Sequence, residues 1–116
     1  MSGANHTAWS DEIVLIWRET EKNAAGFETV TEHRSSPPLF CDFEDGVSQS
    51  EFYRSMKAGN QASAQAEVQT VDYLDFWPMG YTDYRFAEFR GRRFRILRSF
   101  PQTFDTMTLI LEEVIR

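Results

Sequence analysis

Side chains able to do chemistry are few in this chain. It has two histidines, His6 and His33, and one cysteine, Cys41. Neither histidine stands in an H-x-x-x-H or Cys-x-x-Cys type of spacing, so no metal ligand set is predicted. Cys41 and His33 would make a nucleophile and base only if the fold joined them. Cys41 lies in the alternating run LFCDFED, where a small buried hydrophobe is the ordinary role. Carboxylates are plentiful but scattered, and no G-x-S-x-G, phosphate-loop or dinucleotide pattern occurs. The expectation is no catalytic residue, no metal and no cofactor. The stretch RGRRFRILR is different. Arg90, Arg92, Arg93 and Arg95 interleave with Phe94. They form either a backbone-tracking groove with a stacking platform or the charged outer face of an ordinary hairpin, and the second is favoured. On either reading they are a candidate basic docking face.

Composition narrows the class. A chain of 116 residues supports one domain with one core. Aromatic content of 15% means that Phe, Tyr and Trp fill much of that core. The formal net charge of −6 argues against a free-standing nucleic-acid binder. The charge is uneven: half of the basic residues lie between Arg85 and Arg98, and most acids precede Tyr84. Such polarity suits head-to-tail or stacked association. A single cysteine fits a reducing compartment. No apolar run approaches transmembrane length, and MSGANHTAWS lacks the features of a signal peptide.

The elements that must position these residues are mostly strands. Residues 1–10 read as a loosely tethered arm and 11–116 as a single domain. EIVLIWRET (12–20) is a strand apolar on both faces, as expected of a barrel seam or subunit contact. FETVTEHR (27–34) is its hairpin partner, and Pro37 and Pro38 interrupt the ladder. Ser48 and Glu51 form an S-x-x-E capping box opening a short helix, about 49–58, that Gly59 closes. ASAQAEVQT follows as a strand with Ala62, Ala64, Ala66 and Val68 on one face, small enough for the helix to lie close. Its phase breaks near Thr70–Val71, where a bulge is expected. LDFWPMGYTD (74–83) reads as an aromatic loop, either folded on the core or contacting a partner. YRFAEF-RG-RRFRILRSF is a hairpin turning at Arg90–Gly91, and TMTLILEEV is the last strand. The fold expected is mainly β: a small antiparallel β-barrel of about six strands with one short α-helix inserted.

The order of these elements resembles the tailed-phage head-closure family, also called head–tail connector, adaptor or stopper proteins. The matching residues are Glu51, Phe52 and Tyr53 followed by Ala58 and Gly59; Val71, Asp72 and Tyr73 at a strand end; EFRGRRFRILR from Glu88 to Arg98; and the acidic-aliphatic tail from Leu109 to Val114. The likeness spans about 11–115 and is strongest from residue 51 onward. It implies a β-barrel without catalytic residues or cofactor. It implies a ring of identical subunits, usually twelve, in the virion neck, assembled in the bacterial cytoplasm. The portal or adaptor would sit above, and the tail or a tail-completion protein below. The ring would close the DNA channel after packaging, and DNA would pass without sequence-specific binding or any membrane. On this resemblance, residues 35–47, with Pro37, Pro38, Asp42, Glu44 and Asp45, are a candidate gating loop, the acids repelling the DNA backbone. Ile13, Leu15, Trp17, Phe76, Trp77, Met79 and Tyr81 are candidate subunit or partner contacts. The segment 74–83 is longer and more aromatic than the family pattern. The rival readings are a tail-completion or tail-terminator ring protein and an OB-like single-stranded nucleic-acid-binding module.

Overall fold

The first strand, β1 (Asp11–Lys22), organises everything that follows. The computed structural model describes residues 9–76 and 85–114. The remaining strands are β2 (Glu28–Arg34), β3 (Leu39–Asp45), β4 (Ala64–Gln69), β5 (Arg85–Phe89), β6 (Arg92–Pro101) and β7 (Thr106–Glu113). Two helices, α1 (Gln49–Lys57) and α2 (Thr70–Phe76), interrupt them. All strand pairs are antiparallel and run in the order β2-β1-β3-β4-β7-β6-β5, with β5 returning to β1. Six strands therefore close a barrel, as expected, and β2 stands outside it. β1 is long enough to serve twice. Asp11–Ile13 pair with β3 and Val14–Trp17 with β5, while Ile16–Lys22 pair with β2.

Alternation fills the barrel. Leu39 and Cys41 of β3, Ala64, Ala66 and Val68 of β4, Phe94 and Ile96 of β6, and Leu109 and Leu111 of β7 belong to one buried cluster. The alanine strand thus turns its small face into the barrel. It makes room there for the rings of Phe43, Phe89 and Phe94, with Phe43 stacked on Phe89 at 3.9 Å between centroids. This corrects the expectation that the alanines accommodate the helix. A small barrel cannot hold large side chains from every strand, so one strand gives way.

The helix α1 lies outside, over β6 and β7. Glu51, Arg54, Ser55, Ala58 and Asn60 enclose a hollow of about 80 Å³ with Leu97, Arg98 and Ile110. Its N-cap forms as predicted, Ser48 Oγ accepting from Glu51 N at 3.2 Å. The Glu51 carboxylate, however, turns to Arg98. Ser55 ties the helix to the chain, donating to Phe52 O and accepting from Ala62 N. Gly59 closes the helix at φ +81°, as expected.

Two local expectations fail. The phase change at Thr70 is not a bulge but the start of α2, whose inward residues Tyr73 and Phe76 are spaced three apart. Helical spacing wins because it buries the Tyr73 ring at one barrel end. There its hydroxyl meets Ser99 Oγ at 2.7 Å and accepts from Arg85 at 3.0 Å. Residues 74–76 are consequently helix and not loop. The bulge is instead in β6, between Ile96 and Arg98. It skips Leu97, so Arg98 pairs with Ile110 on the outer face and Ser99 with Leu109. At the Arg90–Gly91 turn both residues take positive φ (51° and 79°), a tight primed hairpin turn.

Two outcomes test this packing. Phe94→Ala should lower unfolding stability by about 3–5 kcal/mol. Ala66→Phe, which adds apolar volume, should still cost about 1–3 kcal/mol by crowding the same rings. Urea midpoints of both variants check this, with unchanged slopes. Burial pushes the Cys41 thiol up to about 12, Asp11 and Asp42 acting the same way. Native protein should resist iodoacetamide at pH 8 and react once unfolded.

Candidate functional site

The outer walls of the barrel carry opposite kinds of charge. On the wall formed by β1, β3 and β4, Glu12, Asp42 and Glu44 are exposed and Glu67 is half-buried. Asp42 stands directly opposite Glu67 in the ladder. Like charges across a pair are normally avoided. Here Glu67 accepts from the Thr106 hydroxyl at 2.6 Å, and Glu44 accepts from Gln65 at 3.0 Å. Across the barrel, β5 and β6 carry Glu88, Arg93, Arg95 and Arg98. The strand order makes the acidic and arginine-bearing walls face opposite directions.

The arginines are not bare. Arg90 bonds Asp11 at 2.6 Å, and Arg92 bridges Glu113 and Asp45 at 3.0 and 3.1 Å. Arg95 holds Glu112 at 2.6 Å and also Asn60. Arg93 joins a five-member network with Arg18, Arg34, Glu32 and Glu88. At its centre the Arg18 and Arg93 guanidiniums lie over the Phe86 ring, 4.8 and 5.0 Å from its centroid. Of the candidate docking face, Arg92 covers the barrel mouth, 5.1 Å from the Phe94 centroid, and Arg93 and Arg95 line the wall.

The network clamps the base of a ribbon. Beyond the last β1–β5 pair at Trp17, β1 and β2 continue alone for about 17 Å at ordinary strand rise. The turn is held by Asn23, whose side-chain oxygen accepts from Ala25 N and Phe27 N. Nearly all of β2 is exposed, Val30 at 61%, and so is Phe27 just before it at 70%. At the ribbon's foot His33 stacks on Trp17 with centroids 4.1 Å apart and meets Glu19 at 3.2 Å.

The predicted residues separate into groups. Ile13 and Leu15 are fully buried in the barrel core, so they offer no contact surface. Their double-sided apolar strand is a barrel seam. Trp17 is half-buried at the foot of the ribbon. Asp42, Glu44 and Asp45 belong to a regular strand, while Pro37 and Pro38 occupy the corner before it. Pro37, Pro38 and Phe76 come together, lining a cleft of about 370 Å³ with Asp72 and Asp75. Trp77, Met79 and Tyr81, like the arm up to residue 8, lie outside the described residues. His33 and Cys41 are not brought together. Their register partners on β1, Trp17 and Asp11, are six residues apart, about 20 Å along the strand. Among the described residues no group of three or more His, Cys, Asp and Glu is placed to hold a metal. Sequence reasoning passed over Phe27 and Val30 on the ribbon and Tyr53 and Met56 on α1, all more than half exposed. The signal was present in FETVTEHR, where neither face is continuously apolar.

No family model and no curated protein matches this chain. The fold is shared, across nearly the whole length, with a chain of known structure. A chain from the virion of a native gene transfer agent (GTA) particle aligns with a TM-score of 0.54 and 15% identity. The alignment covers 92% of this chain and 96% of that one. At this identity the likeness establishes the fold.

The arginine network sets a pH dependence. The Arg93 hydrogen bond, with Arg18 assisting, holds the Glu32 carboxyl below the usual glutamate range; Arg34, with Arg93, does the same at Glu88. A carboxyl lowered in the folded state stabilises above its unfolded pKa, and this is lost as pH falls through the folded value. Stability should therefore decline below about pH 4.3. The double variant Glu32→Gln, Glu88→Gln should be less stable at pH 7 and flatter through that acid range, as read from urea midpoints.

Proposed function

We propose that this chain is a structural protein of a phage-like virion, forming a ring in the neck between head and tail. The carrying observation is the fold shared, over nearly all of both chains, with a chain of a gene transfer agent virion. On this reading about twelve copies form a ring below the portal or adaptor. The ring closes the DNA channel after packaging and presents the surface to which the tail or a tail-completion protein docks. Assembly takes place in the host cytoplasm, and the protein acts without chemistry of its own.

The wall geometry supports this arrangement. The exposed acids Glu12, Asp42 and Glu44 suit a surface past which DNA must move without sticking. This wall is the proposed channel lining, and the Pro37–Pro38 corner beside the 370 Å³ cleft is the proposed gate. The arginines of the β5–β6 hairpin count against the single-strand-binding reading. Arg90, Arg92, Arg93 and Arg95 each hold a carboxylate already, and a phosphate would have to displace it.

Electron microscopy of particles made with this gene disrupted tests the proposal. The expected result is heads that packaged and then lost their DNA, beside finished free tails. DNA-filled heads joined normally to tails would overturn it. Full heads beside tails of irregular length would move the protein to the tail-terminator role.

A further inference from the structure

The barrel buries its own core, yet large apolar side chains are left in water at Phe40, Val71, Leu74 and Phe104 and on two further features, the ribbon and α1. On the ribbon these are Phe27 and Val30; on α1 they are Tyr53 and Met56, 54% and 53% exposed. A two-stranded ribbon with no covered face is marginal in water, and one built into a stable domain invites a partner. Aromatic residues and Met are also the types enriched in interface cores.

The two features complement one another. Strand alternation puts Phe27 on the ribbon face that carries Glu21 and Thr29, and Val30 on the other with the paired Glu28 and Lys22. The Phe27 face is therefore acidic, whereas α1 presents Arg54 and Lys57 beside its apolar pair. Their placement prevents a meeting within one chain. The ribbon extends from β1, and α1 lies over β6 and β7; with the closed order β1-β3-β4-β7-β6-β5, β7 is diametrically across from β1. A patch on one wall and its complement on the opposite wall define a heterologous contact, which repeats from copy to copy and closes when the rotation permits.

We infer that the β1–β2 ribbon of each copy lies across the exposed face of helix α1 of the next copy. Phe27 meets Tyr53 and Met56, and Glu21 on the same ribbon face meets Arg54 and Lys57. The occupant is a second copy of this chain. Strand addition along the free edge of β2 is the competing contact, but Glu28, Glu32 and Arg34 charge that edge and blunt it. The inference deepens the ring reading, but its contact stands or falls without the neck assignment.

Cysteine pairing of the full chain at millimolar concentration tests it. Thr29→Cys, on the Phe27 face of the ribbon, and Met56→Cys are both at exposed positions, and the native Cys41 is buried and inert. Under mild oxidation the double variant should give a ladder of disulfide-linked dimers, trimers and higher species. Each single variant should give none, and an equal mixture of the two should stop at dimers. Melting curves matching the parent chain confirm that both variants fold. Loss of the ladder in a double variant that melts normally would overturn the contact. Dimers from Thr29→Cys alone would overturn it in favour of ribbon-to-ribbon pairing. A ladder from a protein whose gene disruption leaves necks intact would keep the contact and sink only the neck assignment.

Discussion

One strand that is too long for its barrel governs this molecule. β1 has twelve residues, and only the stretch from Asp11 to Trp17 is needed to close the six-stranded wall between β3 and β5. The surplus must find hydrogen bonds elsewhere, because a strand cannot leave its backbone groups unpaired at low cost. β2 supplies them, and the ribbon results. Ser35 marks the transition: its hydroxyl accepts from Leu15 N and its own amide donates to Leu15 O, at 2.9 Å each. The chain then turns the Pro37–Pro38 corner and continues along the same edge of β1 as β3, the other edge being taken by β5.

Electrostatics is organised around the same strand. Arg18 on β1 and Glu32 on β2 reach the β5–β6 hairpin through Arg93 and Glu88, so ribbon and barrel are joined by ions as well as by backbone. A single exposed ion pair contributes little to stability. Here five charged groups share partners around the Phe86 ring, over which the Arg18 and Arg93 guanidiniums lie. A formally arginine-rich hairpin thereby becomes a nearly neutral wall, and the exposed acids on the opposite side carry more of the molecule's negative field.

The β elements were legible because their signals are local. Alternation placed β4 and β7, whereas LFCDFED fitted a bent strand and an exposed loop equally well; Ser48 and Gly59 bracketed α1; Arg90–Gly91 set the hairpin turn. The misread parts depend on groups distant in sequence. Whether Thr70 starts a bulge or a helix is decided by Ser99, Arg85 and Asp105, which receive Tyr73 and the Thr70 amide. Whether Glu51 completes its capping box is decided by Arg98, which the bulge at Leu97 turns outward. Ile13 and Leu15 suggested an interface because an apolar two-sided strand looks alike at a barrel seam and at a subunit contact. The surfaces now singled out were hard to see for the opposite reason: Phe27, Tyr53 and Met56 are isolated apolar residues among polar ones, and isolated apolar residues on a surface are ordinary.

The continuity of β1 also has a mechanical side. Its ladders to β3 and β5 run parallel to the ribbon axis. A pull along that axis at the Asn23–Phe27 turn loads many hydrogen bonds together, in shear, before any one can open. A pull across the axis peels them singly. The molecule is accordingly stiff in one direction and compliant in another, and the stiff direction is the one in which the ribbon points.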